Sequence, residues 1–291
     1  MKSLRIGTRG SPLALAQTQE VLAALKFHYP NVILDIVPIK TTGDTIVDRS
    51  LTDIGGKSLF TKEIETALLK KDIDLAVHSM KDVAAEVPEG LAFPAMLERE
   101  DPRDALVTHN RQALEELPKG ALFGTSSLRR QAHMLHKYPH LSVVPLRGNV
   151  ATRLEKVEAG EVMATLLAVA GLKRLGLLEK ATQILDIDEF LPAIAQGAIG
   201  VQCRQEDHDF FAPLNHLPTF QAVTAERAFM RALQGSCRTP MAGYAYLEGD
   251  TLFFKGMVSD PQGQKMRFVS HEGPAPQSKR IGEEAAERLK P

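Results

Sequence analysis

Short apolar runs that close in a polar turn and open into a helix recur along this chain of 291 residues, and that rhythm constrains the fold most. Leu4 to Gly7 reads as a strand ending in Thr8-Arg9-Gly10-Ser11-Pro12, where Ser11 suits an N-cap and Pro12 the first helical turn. Leu15, Val21, Leu22 and Leu25 then mark a helix over 13–26. The same pattern predicts strands at 32–39, 73–77, 121–124, 142–146 and 166–169, with a helix starting at Val150. Strand, turn and helix in alternation predict an α/β architecture with largely parallel sheets.

The length allows two or three domains. Crossings between them are expected at 98–104, which is charged and contains Pro102, at 191–193, and at 213–218. Residues 43–58, with Gly43, Gly55 and Gly56, read as a mobile loop, and the tail from His271 starts with Pro and Gly and ends in a charged amphipathic helix. Thirty-five basic residues against thirty-six acidic ones argue against a general nucleic-acid binder. Aromatics at 5% and the absence of Trp argue against base-stacking platforms. Two cysteines build no disulfide framework. No apolar run approaches the roughly 20 residues that span a bilayer, and the N-terminal run is too short for a signal peptide. A cytoplasmic protein without nucleic-acid or membrane partners is the expectation.

In α/β sheets ligands gather at the carboxyl ends of strands, where helix N-termini favour anions. Those ends carry Arg9 with Ser11, Lys81, Arg129 and Arg130 with Ser126 and Ser127, and Arg147 with Arg153. Arginine grips carboxylates through two parallel bonds, so the set implies a ligand with several carboxylates or phosphates. The competing reading is a collection of surface residues and structural ion pairs. Asp82, alone among these cations, either pairs with Lys81 or serves chemistry by stabilising positive charge or moving protons. Cys237 follows Gly235-Ser236 and precedes Arg238, a setting that favours an approachable thiolate, although a lone thiol is more often packed than chemical. Gly56-Lys57-Ser58 imitates the end of a phosphate loop, but Leu51 stands where that loop needs glycine. His133, His136 and His140 form no metal set and are expected to be solvated, and Cys203 to be a small buried hydrophobe.

Taken in order, Thr8-Arg9-Gly10-Ser11-Pro12-Leu13-Ala14, Gly55-Gly56-Lys57-Ser58-Leu59-Phe60, Ala76-Val77-His78-Ser79-Met80-Lys81-Asp82 and Glu98 to Asp104 resemble the hydroxymethylbilane synthase (porphobilinogen deaminase) family. The likeness continues through 124–130, 146–149, 170–175, Gln196-Gly197-Ala198 and the Cys237 segment, covering about Leu4 to Tyr244. It implies a monomeric transferase that joins four porphobilinogen units head to tail, with loss of ammonia, into the linear tetrapyrrole hydroxymethylbilane. One dipyrromethane cofactor would be held by a thioether to Cys237, and Asp82 would be catalytic. Lys81, Thr125, Ser126, Ser127, Arg129, Arg130 and Gly148 would bind the cofactor. Arg9, Ser11, Arg147, Asn149, Arg153, Arg174 and Gln196 would bind substrate, Lys57 and Phe60 would lie over the cleft, and no metal would take part.

The implied fold is α/β in three domains: two periplasmic-binding-protein-like lobes with mixed sheets, over 1–97 plus 196–214 and 98–195, and a smaller α/β domain over 215–291 carrying the cysteine. Ala84 departs from an expected proline and leaves the turn beside Asp82 less constrained. The chain after Val269 is short for the family. A non-catalytic two-lobed protein that captures an anionic solute fits the lobes and cations equally well. Cys237 and the lack of an export signal count against it.

Overall fold

The computed structural model describes residues 3–45, 59–235 and 239–290. Lys57, Cys237 and most of the 43–58 loop lie outside the described residues.

Among those residues the chain builds three sheets. The first contains β1 Ser3–Thr8, β2 Ile33–Pro38, β3 Leu75–Ser79, β4 Leu91–Met96 and β10 Ile199–Arg204, in the order β2-β1-β3-β10-β4. The second contains β5 Asp104–Thr108, β6 Leu122–Gly124, β7 Ser142–Val144, β8 Ala164–Ala168 and β9 Gln183–Ile184, in the order β7-β6-β8-β5-β9. β11 Met241–Glu248, β12 Thr251–Val258 and β13 Arg267–Pro274 form the third, an antiparallel meander.

The helices of the first unit are α1 Pro12–His28, α2 Thr42–Thr45 and α3 Lys62–Leu69. Those of the second are α4 Leu128–Lys137, α5 Val150–Glu158 and α6 Val169–Arg174. α7 His208–Phe211 returns to the first sheet, while α8 Leu217–Ala232 and α9 Ser278–Glu287 pack together against the third.

The expectation of largely parallel sheets needs correcting. In each five-stranded sheet two ladders are parallel and two antiparallel. The antiparallel neighbours have one cause. β5 and β10 are the strands that follow the two crossings between sheets, and each runs antiparallel to both of its neighbours. In the tail, residues 271–274 complete β13 and pair with β12, and the expected helix follows as α9.

Packing follows the local sequence. β3, β5, β8 and β10 are buried along nearly their whole length, as expected of strands covered on both faces. Leu4, Ile6, Val21, Leu25, Leu75, Val77, Ile199, Val201 and Phe211 fill one side of the first sheet, together with Cys203. Cys203 is fully buried, and burial pushes its thiol up to about 12, the inert hydrophobe expected. Phe123, Leu166 and Phe190 fill one face of the second sheet, and Leu146, Leu167 and Leu172 the other.

The two crossings meet at a carboxylate from α8. Glu226, fully buried, accepts from Arg99 Nη2 at 3.2 Å and from the backbone N–H of Ala195 and Ala245 at 2.5 and 2.8 Å. Arg99 Nε donates to Gln196 O at 2.8 Å. Beside them Gly197 has φ +91°, and a Cβ there would sit 2.2 Å from Glu100 O, so only glycine lets the strands pass.

Candidate functional site

The ends of β3 and β8 and the starts of α1, α5 and α6 enclose a cleft between the two five-stranded sheets. Among the described residues its walls include Lys81, Arg130, Arg153 and Arg174, with Gln17, Ser79 and Gly171 between them, and no aspartate or glutamate. Three caps set the helices around it. Ser11 Oγ accepts from Ala14 N at 3.3 Å, Ser127 Oγ from Arg130 N at 3.4 Å, and Asn149 Oδ1 from Thr152 N at 3.0 Å. Each cap satisfies an N–H the helix would otherwise leave bare. The serine hydroxyl protons are not spent in capping and can still donate to a bound carboxylate.

The arginines divide by partner. Arg129 and Arg130 converge on Asp104, which is fully buried at the start of β5: Arg129 Nη2 donates at 2.7 Å and Arg130 Nη2 at 2.8 Å. Gln196 Nε2 donates to the same carboxylate at 2.9 Å and to Pro102 O at 2.7 Å. Burial alone would raise the Asp104 pKa, but the two guanidinium groups reverse this and hold it far below the ordinary carboxylate range. Arg129 also donates to Leu191 O at 2.8 Å, and it is Arg130 that reaches the cleft wall.

Lys81 is open to the cleft, and its Nζ donates to Gln196 Oε1 at 3.4 Å. The crowded walls push its pKa down to about 8; Asp82 opposes that shift and Arg130 adds to it. Arg153 Nε donates to Gly148 O at 2.9 Å, and burial, then Arg130, push its pKa down to about 10 while Asp82 opposes and Arg147 adds. Arg147 is half-buried just before Gly148. Arg174 bonds Glu20 of α1 at 2.8 Å and Gly197 O at 3.1 Å, linking the two lobes at the cleft. Ser126 Oγ donates to Leu146 O at 3.1 Å, and Thr125 Oγ1 accepts from Ser127 N at 3.1 Å.

Asp82 lies in a 3-10 turn, Met80–Asp82, just after β3. The pairing with Lys81 that the sequence left open is not the ion pair seen: Arg9 Nη1 stands 3.7 Å from Asp82 Oδ2. Arg9 in turn grips Asp44 and lies 4.4 Å above the Phe60 ring. Asp44 is desolvated, yet its bonds from Arg9 and Thr41 hold its pKa below the usual value. The structure therefore brings Arg9, Asp82 and Phe60 together, with Asp44 as a fourth member. Ala84, expected to leave the turn after Asp82 loose, has its carbonyl held by Arg227 at 2.6 Å. Cys237 and Lys57 lie outside the described residues; α8, which leads toward Cys237, ends with Gly235 N donating to Met230 O at 2.8 Å.

Sequence reasoning missed Asp44, Asp104, Glu226 and Arg227. Asp104 closes the charged 98–104 segment, which in sequence marks a crossing and part of the family resemblance but gives Asp104 no role in the site. The histidine expectation is corrected in part: His133 is 4% exposed and stacked on Phe190 at 5.3 Å, because α4 turns Arg129, Ala132 and His133 inward together. Among the described residues no cluster of His, Cys, Asp or Glu could hold a metal, and no helix is long and apolar enough to cross a membrane.

Comparison with known proteins agrees along the chain. A family model described as "Porphobilinogen deaminase, dipyromethane cofactor binding domain" matches residues 4–212, and "Porphobilinogen deaminase, C-terminal domain" matches 220–291. "Porphobilinogen deaminase, chloroplastic" of Oryza sativa subsp. japonica is 52% identical over 279 residues, covering 93% of this chain and 78% of the relative. The protein of the same description from Pisum sativum is 50% identical over 297 aligned positions, covering 98% and 80%. Among solved structures, the methionine-binding protein MetQ overlaps 77% of this chain and 93% of its own at 12% identity, with a TM-score of 0.48, too low to carry an argument. With two family models spanning nearly its whole length and relatives at half identity, the chain belongs to the porphobilinogen deaminase family.

Proposed function

We propose that the cationic cleft between the two five-stranded sheets is where this chain carries out its family's reaction. The chain is a transferase of tetrapyrrole biosynthesis that deaminates four porphobilinogen molecules and joins them head to tail into hydroxymethylbilane. Its cofactor is dipyrromethane, which when bound supplies the pyrrole primer for chain growth. The single observation behind the placement is a wall that, among the described residues, carries four cations and no carboxylate. Every pyrrole of cofactor and substrate bears an acetate and a propionate, so the residues present fit such a ligand.

Lys81, Arg130, Thr125, Ser126 and Ser127 would hold the cofactor's carboxylates, with Arg129 setting Arg130 through their shared Asp104. Gly148 would let the backbone approach. Cys237 would supply the thioether. Arg9, Ser11, Arg147, Asn149, Arg153, Arg174 and Gln196 would hold the substrate, and Lys57 and Phe60 would cover it. Each addition breaks the aminomethyl C–N bond of porphobilinogen, the protonated amine leaving as ammonia and positive charge spreading over the pyrrole. Asp82 stabilises that charge and holds the pyrrole N–H. A C–C bond then forms to a free pyrrole carbon, which gives up its proton. In this role the chain would act as a monomer divided into 1–97 plus 196–214, 98–195 and 215–291, on a small molecule in the cytoplasm.

Intact mass of the denatured protein tests this reading. The mass should exceed that of the bare chain by one dipyrromethane, and Cys237→Ala should lose the excess. Asp82→Asn should keep the excess while turnover falls about a hundredfold or more. Normal turnover in Asp82→Asn removes Asp82 from the mechanism. A non-catalytic binding protein would show the bare mass and gain no pyrrole-unit steps on incubation with porphobilinogen.

A further inference from the structure

We propose that Arg227 is a positioning residue for this reaction, holding the turn that carries Asp82 in register with the helix that leads to Cys237. The inference rests on the reading of Asp82 as the charge-stabilising carboxylate. Arg227 lies on α8 and donates to three successive carbonyl groups just past Asp82. Nη1 reaches Val83 O at 3.2 Å, while Nη2 reaches Ala84 O at 2.6 Å and Ala85 O at 3.3 Å. One turn further along α8, Arg231 Nη2 donates to Ala85 O at 2.9 Å and its Nε pairs with Glu86 at 3.0 Å.

Arg227 is only 7% exposed, and no carboxylate lies within ion-pair distance of it among the described residues. Burial, then Arg231, push its pKa down to about 10, with Glu86 opposing, so it stays charged. For packing alone an apolar side chain would cost less than a buried guanidinium without a counter-ion. What the charge accomplishes here is the fork on three carbonyls.

The packing makes the same connection independently. Met80 and Val83, which bracket Lys81 and Asp82, are buried in one apolar cluster with Ala222, Val223 and Phe229 of α8. Lys81 and Asp82 are exposed between them. The turn is thus fastened to α8 by two side chains and by the carbonyls that follow it, and its two charged residues are left exposed. α8 ends at Ala232, five residues before Cys237 in the sequence. One helix therefore holds the Asp82 turn and leads in sequence to the cysteine segment, and a shift of Arg227 would move Asp82 relative to that helix.

The test compares Arg227→Gln and Arg227→Lys with the unsubstituted holoenzyme, reading cofactor mass, kcat and KM for porphobilinogen. Arg227→Gln should keep the cofactor mass and a KM within about twofold while kcat falls about tenfold, since sub-ångström misplacement of a catalytic group acts on turnover. Arg227→Lys should lie between, at least about threefold below the unsubstituted enzyme. In an Asp82→Glu background, where the carboxylate is already out of register, adding Arg227→Gln should cost less than about threefold. An unreduced kcat in Arg227→Gln, or the same tenfold loss in both backgrounds, overturns the proposal. Should Arg227→Gln fail to fold, an unreduced kcat in Arg227→Lys overturns it alone. Normal turnover in Asp82→Asn would instead remove the reading on which the proposal rests, and so separates the two failures.

Discussion

Asp104 shows how one buried side chain decides what its neighbours can do. Two adjacent arginines on α4 repel each other, and placing both below 7% exposure without an anion would be costly. Asp104 accepts from both and from Gln196, leaving one net positive charge where two were read in the sequence. Asp104→Ala should lower the unfolding free energy by about 3–5 kcal/mol in urea titration, because it strands two buried guanidinium groups. A loss below about 1 kcal/mol would mean that the arginines turn out to solvent instead. Lys81 carries a different expectation. With a pKa near 8 it is protonated below that pH and neutral above, so its attraction for carboxylates is present at pH 7 and lost as pH rises through about 8. In Cys237→Ala, free of attached cofactor, porphobilinogen affinity measured by calorimetry should fall about threefold or more between pH 7 and 9. Lys81→Arg should abolish the fall, and a fall of equal size in Lys81→Arg would assign it to another group.

At the scale of elements, helix starts were legible and strand partners were not. Ser11-Pro12 and Gly148-Asn149-Val150 announce their helices because capping is chemistry between residues two or three apart. β5 and β10 are absent from the strands expected in sequence, and their pairing direction depends on where the chain crosses and not on the strand's own residues. The roles of Asp104, Glu226 and Arg227 were hidden for the same reason: their partners stand 25, 127 and 144 residues away. The cations at strand ends were legible as a set, but which of them face the ligand and which are committed to a partner was not. One short element permits a sharp test. Gly148 has φ +117° and would place a Cβ 2.8 Å from Thr152 Cβ, whereas Gly120 has φ +80° and open space around it. Gly120→Ala should cost only backbone strain, about 1 kcal/mol, and Gly148→Ala about 2–3 kcal/mol with a fall in turnover, since Arg153 bonds the Gly148 carbonyl. Equal costs in urea unfolding, with turnover intact, would show that the α5 entry adjusts freely.

At the scale of the whole molecule, each large lobe contains one buried neutral histidine, and together they set a limit toward acid. His78, on β3 of the first lobe, faces Gln202 Oε1 at 2.9 Å, and Gln202 in turn faces Glu65. Burial pushes its pKa down to about 4; the bond to Gln202 opposes this, and Arg9 and Arg227 add to it. His133, on α4 of the second lobe, is pushed down to about 3 by burial and by Arg129 and His136, with Asp104 opposing. An unfolded histidine takes up its proton near pH 6.5. Between that pH and the folded pKa the unfolded chain binds more protons than the folded one, so stability falls as pH drops and levels off only below about 4 for His78 and about 3 for His133. By pH 4 each histidine should have removed about 3 kcal/mol relative to pH 7. Carboxylates contribute to the same limb, so the comparison has to be between variants. His133→Phe, which keeps a ring against Phe190, and His78→Asn, which keeps a donor for Gln202, should each flatten the urea-unfolding free energy between pH 7 and 4 by that amount. Flattening in only one variant would show that the other lobe opens to water before its histidine is charged. Unchanged slopes in both would mean that the acid limit belongs to the carboxylates, with Asp104 the first to examine.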